Sequence, residues 1–274
     1  RLKSVFSAPL ISRILPFILI ILISAGTLFY QINRPYAKTL EHGTLEVRAR
    51  NFLEQGFISL SFLPTRNLIG GKPNYDLHHP PLVVIILALF MKYLGDSEIS
   101  VRLAMIISSG ASLYLLYKIV RAETSSKLAY WTILIAALLP VFFYFGRIVN
   151  YDSVTLLLSL LTIQLFIKSA GKGNLFLYLA FFISISLGAL SDWPYYITPP
   201  ALFIYAFLKK RGRKLALSAI LIEVLLLWLF LSYCSLKART CGGDLTVFKE
   251  FGHHIAPTGW GRSLLWSGSL FYTR

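Results

Sequence analysis

Residues 80–95 read Pro80-Pro81-Leu82-Val83-Val84-Ile85-Ile86-Leu87-Ala88-Leu89-Phe90-Met91-Lys92-Tyr93-Leu94-Gly95. Whether this stretch crosses a membrane decides the topology of the whole chain. Its apolar part, 81–94, would extend only about 21 Å as a helix, against about 30 Å of bilayer hydrocarbon. Proline suits the first turn of a helix and glycine its end, so the sequence predicts a short helix lying beside a membrane without spanning it.

Seven further apolar runs surround it, at 10–30, 101–120, 128–145, 153–167, 175–190, 195–208 and 215–233. The chain has 274 residues, 56% hydrophobic and only 14% charged, whereas soluble domains carry about 25% charge. An ordinary water-soluble enzyme is thereby excluded. A net charge of +15 would suggest a nucleic-acid partner in a soluble protein, but the apolar runs point to membrane lipids and no nucleic acid is expected. No zinc-type cysteine pattern, dinucleotide fingerprint or phosphate-binding glycine loop is present. The run at 10–30 follows Arg1, Lys3 and Arg13 and lacks a small-x-small cleavage site, so it reads as a retained anchor.

Basic residues orient these runs. Lys118, Arg121 and Lys127 form one turn, Lys168 and Lys172 a second, and Lys209, Lys210, Arg211, Arg213 and Lys214 a third. Placing these turns and the N-terminus in the cytoplasm puts every other loop outside. The loop 31–100 then begins and ends outside, which requires that 81–94 not cross; eight spans would put either the basic turns or the N-terminus on the wrong side. The expected fold is an all-α polytopic membrane protein with about seven transmembrane helices and two juxtamembrane helices in the first extracytoplasmic loop. Residues 1–233 form the transmembrane module, and 234–274 read as an extracytoplasmic segment opening a distal region of a longer protein.

Of the twelve acids, only Glu123 falls in the inner turns, so carboxylates collect on the outer side, where chemistry is expected. Leu45, Ala49, Phe52 and Leu53 recur at helical spacing before Gly56, predicting a helix on the outer membrane surface. Glu46 and Arg50, at i and i+4, are expected to pair across solvent, and Glu41 lies in the first helical turn, where an acid favours the dipole. In Tyr75-Asp76-Leu77-His78-His79-Pro80-Pro81-Leu82, two histidines and an acid precede the second short helix. Hydrogen bonding is their commoner use, because adjacent histidines do not easily chelate one ion. Asp152 opens an apolar run at the membrane boundary, where an uncompensated charge is costly, and Arg147 is its candidate partner. Asp192 stands with Trp193, Tyr195 and Tyr196, aromatics that suit either an interfacial belt or the stacking of a sugar ring. Glu223 is the mid-span acid and calls for a bundle partner or protonation. Cys234 and Cys241 lie just past the last run, and both a disulfide and two free thiols stay open.

Glu41-His42-Gly43 with Ala49-Arg50-Asn51-Phe52-Leu53, then His78-His79-Pro80-Pro81-Leu82, Gly95-Asp96-Ser97-Glu98 with Val101-Arg102-Leu103, Gly146-Arg147 with Asp152, and Ser191-Asp192-Trp193-Pro194 occur in this order. The ordered set, within a resemblance running from about residue 10 to 230, resembles the family 39-type glycosyltransferases of the GT-C superfamily, which includes protein O-mannosyltransferases and the lipid A aminoarabinose transferase, and within them a prokaryotic subgroup. The resemblance implies an integral enzyme of a prokaryotic plasma membrane. It would move a sugar from a polyprenyl-phosphate carrier to a hydroxyl of an acceptor protein, lipid or glycan on the extracytoplasmic side, with inversion. It assigns the base to Glu41, where the family usually has Asp, and an orienting role to Asp152. Arg147, Arg102 and Arg262 are, in that order, candidates to face the phosphate, and His78 and His79 to position phosphate or metal. Asp192, Trp193 and Tyr196 complete the substrate-binding set. Many relatives carry a Lys-Gly-Pro-like third turn where this chain has Asp192-Trp193-Pro194, so no phosphate-binding lysine transfers. No cofactor is certain, and a divalent cation shared by Glu41, His79 and Asp152 stays open. A transporter or flippase of lipid-linked sugars is the competing class, although such proteins favour internal repeats and midplane sites and no repeat is visible; a non-catalytic membrane relative is the third.

Overall fold

The computed structural model describes residues 40–69, 72–139, 148–171 and 174–241 and single positions at 18, 22, 26, 142 and 146, with the side chains of 40–44, 67–69, 72 and 238–241 excepted. The predicted span at 10–30 and everything past Cys241 lie outside the described residues. Within them are eight α-helices, one 3-10 turn and a two-stranded antiparallel hairpin.

Helix α1, Leu40–Gln55, ends at Gly56, whose φ of 89° continues no helix and whose N–H donates to the Phe52 carbonyl. The hairpin follows as β1, Thr65–Ile69, and β2, Lys72–Tyr75, with Ile69 opposite Lys72. Helix α2, Leu82–Leu94, is the decisive run: Pro81 stands at its N-cap and Gly95, at φ 95°, closes it. At 13 residues it is about 20 Å long.

Helix α3, Glu98–Glu123, starts where the Ser97 hydroxyl accepts the Ser100 N–H. Helix α4, Ser126–Leu138, is capped the same way by Ser125, and it stops short of the predicted 145 because Leu139 is extended, the conformation that a following Pro140 favours. Helix α5 is Asp152–Ser169 and α6 is Leu175–Ala189. The run predicted at 195–208 is divided, a 3-10 turn over Trp193–Ile197 and then α7, Thr198–Leu208, with Pro199 and Pro200 fixing the helix start. Helix α8, Arg213–Cys241, runs past the predicted end at 233. Both cysteines therefore sit on one continuous helix, seven residues or about 10.5 Å apart along its axis, too far for a disulfide. Cys234 is a buried free thiol.

The main core packs Leu45, Ala49 and Phe52 of α1 against Val83, Val84, Leu87 and Met91 of α2, the first turns of α3 at Val101 and Met105, and Val149 and Val154 around the start of α5. The apolar stripe of α1 is thus buried in protein rather than laid on a membrane surface. Because Val101 and Val154 share this core, α3 and α5 begin at one end of the bundle. At the other end the Arg211 Nε–H donates to the Ala170 carbonyl (3.2 Å), bringing the basic turn after α7 to the end of α5.

Three helices are long and apolar enough to cross a bilayer, at Glu98–Glu123, Asp152–Ser169 and Arg213–Lys237, and α2, α4 and α6 are apolar but shorter. Helix α8 leaves Leu217, Leu221, Val224, Leu225 and Trp228 exposed along one face, an apolar stripe too long for a water-facing surface. Glu223 points the opposite way and is buried in the bundle, as the high cost of a lipid-facing charge demands.

Candidate active site

At the end of the bundle where α3 and α5 begin, polar side chains from five parts of the chain form one connected group. Asp76, just after β2, donates its backbone N–H to the Pro64 carbonyl (2.7 Å), which closes the mouth of the hairpin. Its carboxylate is almost wholly buried and is answered by two arginines. Arg48 of α1 pairs with one oxygen, and Arg66 of β1 lies 3.3 Å from the other. The His78 N–H also donates to Asp76 (3.3 Å).

Arg48 extends the group across the molecule. Its second terminal nitrogen donates to the Tyr151 hydroxyl (3.0 Å), at the N-cap of α5. Burial pushes the Tyr151 phenol up from its ordinary pKa, with Arg48 acting in the opposite sense, so the phenol stays protonated at neutral pH. The Tyr151 ring lies against His79 with centroids 4.2 Å apart and planes 18° from parallel. On its edge, His79 Nδ1 is 2.7 Å from the buried Asp192 carboxylate. A carboxylate oxygen accepts, so Nδ1 is the donor of this contact. Next to Asp192, the Trp193 indole N–H donates to the His78 carbonyl (2.7 Å), and its ring stacks on Tyr196 and leans on Phe230 of α8.

Five residues expected from the sequence thus converge here: His78, His79, Asp192, Trp193 and Tyr196. The Tyr196 hydroxyl, however, donates inward to the Ala189 carbonyl (2.9 Å), so it offers a ring face and not a donor. Asp152 is the exposed first residue of α5, beside Tyr151, where an acid suits the helix dipole. Arg102 is held by Glu98 (3.0 Å) in a charged cluster with Glu46, Arg50 and Asp96. In that cluster the Arg50 Nε–H bonds Asp96 (2.8 Å), and Glu46 is buried, which corrects the expected solvent-exposed Glu46–Arg50 pair. The Glu41 side chain, Arg147 and Arg262 lie outside the described residues.

Arg48, Arg66, Asp76 and Tyr151 are not among the site residues expected from the sequence. Asp76 stands two residues before the histidines and Tyr151 directly before Asp152, so proximity to recognised positions was the available signal. Among the described residues no three His, Cys, Asp or Glu side chains come together as a metal site.

Long apolar helices gathered around a buried polar group at one end define a helical-bundle membrane protein. The chain belongs to the dolichyl-phosphate-mannose-protein mannosyltransferase family, whose model matches residues 78–236. No curated protein matches it. Its fold is similar to the crystal structure of ArnT from Cupriavidus metallidurans in the apo state, with a TM-score of 0.59 and 15% identity. The likeness covers 81% of this chain and 42% of the ArnT chain, so the described bundle spans less than half the length of that protein.

Proposed function

We propose that the chain is the catalytic module of a glycosyltransferase that moves one sugar from a polyprenyl-phosphate carrier to an acceptor hydroxyl on the extracytoplasmic side, inverting the anomeric carbon. The 2.7 Å contact between His79 and Asp192 carries this reading. It holds one imidazole edge-on to a buried carboxylate at the end of the bundle, and with Nδ1 committed to Asp192 the ring donates from Nε2 to a phosphate in its doubly protonated, cationic form. In the reaction the acceptor oxygen bonds to the anomeric carbon as the bond from that carbon to the phosphate oxygen breaks. The electron pair leaves on the phosphate, and the hydroxyl proton passes to a carboxylate base.

Glu41 is assigned the base and Asp152 the orientation of the acceptor or of the base. His79, restrained by Asp192, faces the phosphate where negative charge develops, with Arg147 and Arg262 as further cations. Arg102, bound to Glu98, is the weaker candidate. Trp193 and Tyr196 offer stacked ring faces to the sugar. The prenyl chain would reach the site from the bilayer, since α5 begins and the turn bearing Trp193 lies beside it.

The test is transfer from a radiolabelled polyprenyl-phosphate sugar in membranes holding the full-length protein. Covalent product supports the proposal, translocation without product supports a flippase, and neither supports a non-catalytic relative. Glu41→Gln and Asp152→Asn are each expected to lower transfer by at least about 100-fold, the lower end of general-base contributions, with membrane insertion unchanged. Full activity in both variants would remove these assignments.

A further inference from the structure

We propose that Tyr151 is a positioning residue for His79, fixing the imidazole by stacking on its face while Asp192 holds its edge, with Arg48 and Asp76 as the anchor behind the tyrosine. The inference rests on the reading that His79 faces the donor phosphate.

A histidine held by one hydrogen bond still swivels about that bond. The contact with Asp192 fixes the Nδ1 edge of His79 but not the plane of the ring. Tyr151 supplies the second restraint, lying nearly parallel at 4.2 Å. Tyr151 is itself held at both ends. Its hydroxyl accepts from Arg48 (3.0 Å), an arginine buried against Asp76. Its backbone carbonyl accepts from the Thr155 N–H (3.2 Å) and the Thr155 hydroxyl (2.9 Å). The same Thr155 hydroxyl lies 3.2 Å from Ser191 Oγ, both groups buried, and Ser191 is the residue before Asp192. The two residues that grip His79 are thus tied to each other beneath it, and stack and edge contact hold a fixed relation. Nε2 is left with one direction, which is what the geometry of a phosphate contact requires.

This arrangement separates the ring of Tyr151 from its hydroxyl. In the full-length protein, Tyr151→Leu is expected to lower kcat for sugar transfer about tenfold or more, with KM for the donor changed less than about threefold, because the lost restraint concerns orientation at the reacting phosphate. Tyr151→Phe keeps the stack and is expected to restore most of the rate. Tyr151→Met replaces Tyr151→Leu should the latter not accumulate. NMR of 15N-histidine-labelled protein, with the His79 signal assigned by its loss in His79→Gln, gives a readout independent of turnover. Ring 15N relaxation should show a rigid His79 in the parent and Tyr151→Phe, and exchange broadening in Tyr151→Leu, where the ring turns about its bond to Asp192. The proposal is overturned if Tyr151→Leu keeps the parent rate and an equally rigid ring while His79→Gln loses activity. If His79→Gln transfers sugar at the parent rate, the phosphate-facing reading of His79 fails instead, and the relaxation signal still decides whether Tyr151 restrains the ring.

Discussion

Glu46 and Asp76 are both buried carboxylates near the same end of the bundle, yet their surroundings are opposite. Asp76 is ion-paired with Arg48 and Arg66 and accepts the His78 N–H. One oxygen of Glu46 has no hydrogen-bond partner among the described residues. Burial raises the Glu46 pKa above its ordinary 4.5, with Arg50 and Arg102 opposing and Glu98 and Asp96 reinforcing. A carboxyl whose pKa is higher in the folded than in the unfolded state binds its proton more tightly when folded, so its contribution favours the fold below about pH 4.5 and is lost as pH rises through the raised value. Glu46→Gln is therefore expected to raise the thermal midpoint at pH 8 and leave it nearly unchanged at pH 4, measured in detergent across that range. An equal shift at both pH values would show that Glu46 titrates normally. Asp76→Ala removes the partner of a buried arginine and should destabilise by about 3–5 kcal/mol, whereas the double change Arg48→Met with Asp76→Leu should cost much less. Chemical denaturation of the two variants beside the parent checks this. The sequence placed Asp76 beside His78 but did not show its tie to Arg48, since that pairing joins a helix to the far end of a hairpin and no local spacing encodes it. Glu46 differs from its sequence reading for the opposite reason: its spacing from Arg50 is real, but Arg50 bonds Asp96 and Glu46 is buried.

Elements whose ends carry chemical punctuation were legible. Pro81 and Gly95 bound α2, and Gly56 ends α1, because these residues restrict or free the backbone whatever surrounds them. The hairpin is weakly signalled: Gly70-Gly71 separates its strands in the sequence, a recognised hairpin signal, but Thr65–Ile69 and Lys72–Tyr75 are short and barely alternate. The 3-10 turn over Trp193–Ile197 was hidden inside an apolar run, and tertiary packing explains it. The Tyr195 ring lies directly on Gly188 of α6, where an added Cβ would meet ring carbons at 2.0 Å, and its hydroxyl is 2.8 Å from that of Thr162 on α5. Gly188→Ala is expected to push Tyr195 off this seat at an overpacking cost of about 1–3 kcal/mol. The 3-10 turn carrying Asp192 and Trp193 would move with it, so sugar transfer should fall even at temperatures where the variant stays folded. Transfer assays paired with a thermal melt distinguish the two effects. An alanine variant with the parent's melt and the parent's rate would show that the turn does not depend on this seat.

At the scale of the molecule, the bundle has one end that gathers His79, Tyr151, Asp192 and the start of α3, and another that gathers the turns after α3, α5 and α7. The second end holds the basic residues Lys127, Lys168, Lys209, Lys210 and Arg213, and short basic turns are retained in the cytoplasm. The first end would then face outward, as a polyprenyl-phosphate donor on that side requires. Ser97 and Pro194 are exposed at the first end, and Ser125 and Lys210 at the second, so four single cysteines introduced into a protein with Cys234 and Cys241 replaced by alanine test the arrangement. A membrane-impermeant maleimide added to intact cells should label Ser97→Cys and Pro194→Cys, and should reach Ser125→Cys and Lys210→Cys only after permeabilisation. Labelling of Ser97→Cys and Pro194→Cys from opposite sides would separate the start of α3 from Asp192, and no site shared between them could survive. Labelling of both only from inside would keep the site intact but reverse its face, and the donor would have to be sought in the cytoplasmic leaflet.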